Sequence, residues 1–180
     1  MRVIAGTARG VPLVAPRDRG TRPITDRVKE TLFAILAERV LEARVLDLYA
    51  GSGAIGIEAL SRGAAHATFV EKARLALVAL QTNLERTRLR ELAEIDVSTV
   101  ERFLDQANGE PWDLVFLDPP YEARAIVAPL RAVVPHLAPG AAVVVKHFWR
   151  AEVPNLEGLR TTRQRRFGET MLTFMEAENR

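Results

Sequence analysis

Val45-Leu46-Asp47-Leu48-Tyr49-Ala50-Gly51-Ser52-Gly53-Ala54-Ile55-Gly56 is the stretch on which the fold turns. A short apolar run of strand type passes directly into a glycine-rich turn, and the turn opens a helix expected near 54–62. The same alternation then repeats. Ala67-Thr68-Phe69-Val70 predicts a second strand, followed by a helix near 73–87, a weaker strand near 94–98 and a helix near 99–107. Leu114-Val115-Phe116-Leu117, a helix near 123–136, a Pro139-Gly140 turn and the strand Ala142-Val143-Val144-Val145 extend the series. Strands that are apolar throughout and separated by helical stretches predict a mainly parallel sheet with helices on both faces. The rhythm breaks near the C-terminus. Leu159 to Arg166 and Met171 to Met175 flank Gly168 with no room for a helix, so the sheet is expected to close with an antiparallel pair.

Upstream, Thr21-Arg22-Pro23-Ile24-Thr25-Asp26 is a turn ending in helix-capping residues. Val28, Leu32, Phe33, Ile35, Leu36 and Val40 then recur at helical spacing and predict an amphipathic helix over about 26–41. Before it, Arg2 to Ala15 mixes Val3, Ile4, Val11, Leu13 and Val14 around Gly6 and Gly10, which suggests a hairpin or extended arm that need not belong to the core. The expected organisation is a basic arm over 1–20 and a single domain over 21–180.

A length of 180 residues, with 48% hydrophobic and 27% charged, fits one globular domain able to bury a sizeable core. The chain has no cysteine, which excludes disulfides, thiolate metal sites, iron–sulfur clusters and thiol nucleophiles. No apolar run approaches the roughly 20 residues of a membrane helix, and the first residues lack the apolar centre of a signal peptide, so a cytoplasmic protein is expected. The formal net charge is only +2, yet it is unevenly spread. Residues 1–30 carry seven Arg/Lys against three acids, 31–157 thirteen against seventeen, and 158–180 five against three. Of the 25 cations 22 are Arg, whose planar donor fork suits phosphate, so the basic ends could carry a polyanion-binding face or merely reflect a codon bias toward Arg.

Chemistry concentrates at two motifs. In the first, glycines let the backbone of Ala50, Gly51, Ser52 and Gly53 approach a ligand while a helix N-terminus offers unpaired N–H groups. Glu71, twenty residues after Gly51, closes the next strand where a carboxylate can accept the hydroxyls of a ribose. That spacing also fits a dinucleotide fold. Asp47 discriminates, because an acid four residues before Gly51 opposes a pyrophosphate and suits a cation. S-adenosylmethionine, with its sulfonium and ammonium and no phosphate, meets that requirement. In the second motif, Asp118-Pro119-Pro120-Tyr121, the prolines end the strand and fix the Asp118 side chain and the Pro119 carbonyl at the carboxyl end of the sheet. Two fixed acceptors can hold both N–H bonds of an exocyclic amine and aim its lone pair at a methyl donor, while Tyr121 offers a ring for an unstacked base.

Together these motifs resemble the class I S-adenosylmethionine-dependent methyltransferases that modify exocyclic amino nitrogens. With Arg22-Pro-Ile-Thr-Asp-Arg-Val-Lys-Glu-Thr-Leu-Phe33 and Val45 to Gly63, the chain is similar over nearly its whole length to the bacterial 16S rRNA guanine-N2 methyltransferases that act on guanine 966. The resemblance implies a Rossmann-like fold with a seven-stranded sheet, an N-terminal hairpin, a 16S rRNA substrate in the small ribosomal subunit or its precursor, and no metal. Asp118, Pro119, Pro120 and Tyr121 would then be catalytic, and Asp47, Ala50, Gly51, Ser52, Gly53, Glu71 and Thr99 would hold the cofactor. Arg2, Arg9, Arg22 and Arg27 are the expected RNA contacts, and a monomer is expected. Members of that family often carry Asp or Asn near position 99, where this chain has Thr99 with Asp96 three residues earlier. Many also carry an acid near the end of the fifth strand, where this chain reads Val145-Lys146-His147.

His66, His136 and His147 lack metal-ligand spacing and read as surface or structural residues. Arg163, Arg165 and Arg166 with Phe167 fit either an RNA contact or a charge-protected sheet edge. Trp112 and Trp149 read as packing residues. Three other functions share part of this pattern: an adenine-N6 methyltransferase, a nicotinamide oxidoreductase and a non-catalytic ribosome-assembly factor. The first usually needs an added recognition segment, the second leaves Asp47 and Asp118 unexplained, and the third would survive loss of Asp118.

Overall fold

The computed structural model describes residues 1–16, 24–119 and 124–178. Seven strands are β1 (Arg44–Leu48), β2 (His66–Val70), β3 (Ala93–Asp96), β4 (Trp112–Leu117), β5 (Leu137–Phe148), β6 (Leu159–Phe167) and β7 (Thr170–Ala177). They form one sheet in the order β3-β2-β1-β4-β5-β7-β6. β1 to β5 are parallel, whereas β7 runs antiparallel to both β5 and β6. The helices are α1 (Asp26–Leu36), α2 (Ala54–Ser61), α3 (Arg74–Thr87), α4 (Val100–Gln106) and α5 (Arg124–Val133). The order reverses between β2-β1 and β4-β5, so the crevice for a ligand lies over the carboxyl ends of β1 and β4.

Strand alternation divides the core into two layers. Val45, Phe69, Phe116 and Val144 pack on one side with Leu32, Phe33, Ile57 and Leu80 of α1, α2 and α3. Leu46, Val70, Leu117 and Val145 pack on the other with Leu104, Ile126 and Leu130 of α4 and α5. Asp47, Asp118 and Lys146 each lie one residue from a member of this second layer. α2 is buried along its whole length, which accounts for its lack of a polar face. α1 is capped by Thr25 and stops earlier than its apolar periodicity predicts: Ala37, with φ of 47°, gives way to a short 3-10 turn over 37–40.

One expectation needs correction. Pro139-Gly140 is not a turn that precedes the strand but part of β5, which begins at Leu137. Trp112 pairs with Leu137 and Leu114 with Ala142, so the intervening residues of β5 form a bulge that accommodates the proline and the positive φ of Gly140. The N-terminal segment, whose place in the core the sequence left open, packs into it through Val3, Ala8 and Leu13. Arg2 and Pro12 bridge in antiparallel fashion, and the buried Glu58 accepts hydrogen bonds from the Ile4 and Ala5 N–H groups at 2.8 and 3.0 Å. Ser61 accepts from Ala8 N–H and donates to the Ala5 carbonyl.

Candidate active site

β1 delivers Asp47 to the centre of the sheet, opposite Phe69 on one neighbour and Phe116 on the other. The α2 backbone comes close to it because residue 56 is glycine. A Cβ there would lie 2.4 Å from the Phe69 ring and 3.1 Å from Asp47 Oδ2. The Gly56 N–H thus donates to Asp47 Oδ2 at 2.9 Å. Burial pushes the Asp47 carboxyl up to about 8, with the Gly56 bond opposing and the charges of Asp118 and Glu71 adding to the rise. With three carboxyl groups gathered there, a bound cation would draw Asp47 back toward its ionised form, whereas a pyrophosphate would add to the repulsion.

The turn between β1 and α2 is tight and partly strained. Gly51 and Gly53 have φ of 58° and 74°, and Tyr49, a bulky residue, holds φ of 60°. Its hydroxyl donates to Glu101 Oε1 at 3.4 Å, and burial together with that carboxylate raises the phenol to about 12. Ala50 N–H reaches the Val70 carbonyl at 3.1 Å, and Gly53 N–H the Ala50 carbonyl at 2.8 Å. Glu71 ties the turn to the start of α3. Its Oε2 accepts from Gly51 N–H and its Oε1 from Lys72 and Ala73 N–H, all at 2.8 Å. The Ser52 carbonyl accepts from Asn83 Nδ2 at 2.9 Å, and the fully buried Asn83 also exchanges two hydrogen bonds with the Val14 backbone.

Asp118 follows β4 as Lys146 follows the paired Val145 of β5, so the two side chains meet across the strands. Lys146 Nζ lies 2.7 and 2.6 Å from the two Asp118 oxygens. Burial raises the Asp118 carboxyl above its ordinary value, and the Lys146 ammonium pulls it back down. Pro119 is buried beside it. Asp47, the glycine turn, Glu71 and Asp118 therefore converge at one end of the sheet.

Thr99 lies just after β3, where its hydroxyl caps α4 by accepting from Arg102 N–H at 3.2 Å; Asp96, at the end of β3, accepts from the Ser98 hydroxyl, and its carbonyl accepts from Glu71 N–H. Arg2 is exposed and pairs with Asp26 at 3.2 Å; Arg9 and Arg27 are also exposed. Arg22, Pro120 and Tyr121 lie outside the described residues. Among the described residues, no group of three or more His, Asp or Glu side chains could hold a metal ion, and no helix is long and apolar enough to cross a membrane. Sequence reasoning missed Asn83, an ordinary-looking polar residue within a helix. It noticed Lys146 only as a departure in charge, because its partner depends on β4 and β5 being neighbours.

An acid and glycine turn after β1, facing an Asp-Pro pair after the adjacent β4, places this protein among the Rossmann-like class I methyltransferases. The chain belongs to the family described as Conserved hypothetical protein 95, whose model matches residues 1–176. It is 37% identical to the Bacillus subtilis protein named "Putative rRNA methyltransferase YlbH", over 94% of this chain and 95% of that one. It is also 46% identical to the Escherichia coli ribosomal RNA small subunit methyltransferase D, in a match that spans 67% of this chain and 60% of that one. The solved Escherichia coli structure described as "Putative methyltransferase yhhF" superimposes with a TM-score of 0.87 at 35% identity, covering 100% of this chain and 99% of that one.

Proposed function

We propose that this protein transfers a methyl group from S-adenosylmethionine to the exocyclic N2 of a guanine in 16S rRNA, guanine 966 by resemblance, within the small ribosomal subunit or its precursor. The observation that carries the reading is that Asp47 on β1 and Asp118 just after the adjacent β4 lie at one end of the sheet, close enough for the Asp118 charge to raise the Asp47 carboxyl. The residues fit a cationic methyl donor: Asp47 precedes the glycine turn, and a Cβ on Gly51 would meet nothing nearer than the Tyr49 carbonyl oxygen at 4.0 Å, so that face of the turn is open. The same carboxyl groups, which a cation would hold ionised, suit a nicotinamide dinucleotide poorly.

When bound, the cofactor supplies an electrophilic methyl whose sulfur leaves as a neutral thioether. Asp47 and the backbone of Ala50, Gly51, Ser52 and Gly53 would hold its amino-acid end, and Glu71 would hold its ribose, in exchange for the hydrogen bond that Glu71 Oε2 now accepts from Gly51 N–H. Asp118 and the Pro119 carbonyl accept the two N–H bonds of the target amine, turning its lone pair toward the methyl. Tyr121 carries the base. The amine nitrogen, acidic once methylated, would release its proton to Asp118 or water. Arg2, Arg9, Arg22 and Arg27 contact RNA phosphates.

The test is transfer of labelled methyl to small subunits lacking the modification, to naked 16S rRNA and to duplex DNA, with digestion of products to nucleosides. N2-methylguanosine from the subunits is expected. Methyladenine from any acceptor would replace the guanine reading with the adenine-N6 one.

A further inference from the structure

Lys146 is a buried cation among carboxyl groups. It is 8% exposed and follows a fully buried valine near the carboxyl end of β5, and among the described residues the ionisable groups gathered with it, Asp47 on β1, Glu71 after β2 and Asp118 after β4, are acids. Resting on the guanine-N2 reading, we infer that Lys146 is a positioning residue: it grips both Asp118 oxygens and presents that carboxylate, fixed in rotation, to the target amine.

The geometry supports this in three ways. In-register pairing of Leu117 with Val145 puts residues 118 and 146 directly opposite one another, so the contact is built into the strand register and not left to a flexible surface chain. The ammonium spans the carboxylate, at 2.7 Å from Oδ1 and 2.6 Å from Oδ2, which opposes rotation of the group. A carboxylate has about four acceptor sites, so a lysine using one on each oxygen leaves others for substrate. The Asp118 side chain is 31% exposed and that of Lys146 10%, so the free acceptor sites face the crevice while the cation lies behind. Burial raises the Asp118 carboxyl and the ammonium opposes that rise, so loss of the cation would favour the protonated form, a poorer acceptor for the amine. His147, the adjacent ionisable group on β5, is turned away: its Nε2 meets Thr173 Oγ1 at 2.8 Å, and burial lowers its pKa.

The test compares wild type, Lys146→Met, Lys146→Gln and Lys146→Arg. Methyl transfer to small subunits is measured against pH, and the Asp118 carboxyl is titrated directly by carbon NMR in each folded protein. Loss of the cation should lower kcat roughly 10- to 100-fold, by the weakening of one charge-assisted contact of about 1.5–3 kcal/mol, with KM for methyl donor and RNA changed less than about threefold. The acidic limb of the kcat profile should move to higher pH in Lys146→Met and Lys146→Gln, because activity is lost as Asp118 takes up a proton and that now happens earlier on acidification. The NMR titration should move with it. Lys146→Arg should restore both. Equal kcat, an unmoved limb and an unmoved titration in a folded Lys146→Met or Lys146→Gln protein would overturn the role, leaving the guanine reading intact. Wild-type protein that methylates no RNA would sink the guanine reading first and the role of Lys146 with it.

Discussion

Two lysine–carboxylate pairs of similar length sit in this molecule for opposite reasons. Lys29 and Glu58 meet at 3.0 Å with both side chains wholly buried, and every part of the pair is occupied. Glu58 also accepts from Ile4 and Ala5 N–H and from Arg62 Nε, and Lys29 also donates to the Arg2 carbonyl. Lys146 and Asp118 meet at 2.6 Å, but the carboxylate opens onto the crevice. A saturated pair can only hold structure together, whereas one with acceptor sites left over can also receive a ligand. The difference lies in what else each carboxylate touches, since distance does not separate the two.

The largest expected effect breaks the open pair. Asp118→Ala should lower kcat by roughly 10³-fold, the upper scale for losing one preorganised polar contact, while cofactor affinity by calorimetry stays near wild type and the stability lost by leaving Lys146 unpaired stays well below that of breaking the closed pair, because Lys146 lies beside an open crevice. Breaking the closed pair should do the reverse. Glu58→Ala strands Lys29 and two amide groups, so chemical denaturation should show a loss of about 3–5 kcal/mol, with much of it recovered when Lys29→Met is added. A stability loss from Asp118→Ala equal to that from Glu58→Ala would erase the distinction.

Asp47 sharpens the contrast, as a buried carboxylate with no lysine at all. Its folded value of about 8 lies above the usual 3.8, so between those limits the folded protein retains a proton that the unfolded chain gives up. Stability from this group is therefore full below about pH 4, declines as pH rises toward 8 and is flat beyond. Denaturation measured from pH 5 to 8 should show that decline weakened in Asp47→Asn. Glu71→Ala should weaken cofactor binding roughly tenfold, about 1.4 kcal/mol, with a smaller effect on saturated turnover; an unchanged dissociation constant would remove Glu71 from the ribose. The smallest effect belongs to Arg44 and Glu110, 2.9 Å apart but 40% and 76% exposed. Glu110→Ala should change stability by less than about 1 kcal/mol, because solvent screens such pairs.

The legible parts of the sequence were those in which local pattern and global role coincide. The run from Val45 to Gly56 carries strand, turn and helix in one stretch, and the Asp118-Pro119 break announces the end of β4. Pro139-Gly140 misled because a turn-forming pair and a strand bulge share the same residues, and only the pairing of Leu114 with Ala142 tells them apart. Thr99, read from the sequence for its place after β3, also caps α4 through its hydroxyl. Lys146 and Asn83 were illegible as functional residues because their partners come from elements 28 and 31 or more residues away. The clamped arm was hidden for the same reason.

That clamp also sets an order of events as the chain is made. Residues 1–14 leave the ribosome before the groups that receive them, Glu58, Ser61 and Asn83, which follow 53 to 69 residues later. Val3, Ala8 and Leu13 must therefore wait without their core partners until residues 58–83 have emerged. A segment made well before α3 cannot lock into place until α3 exists.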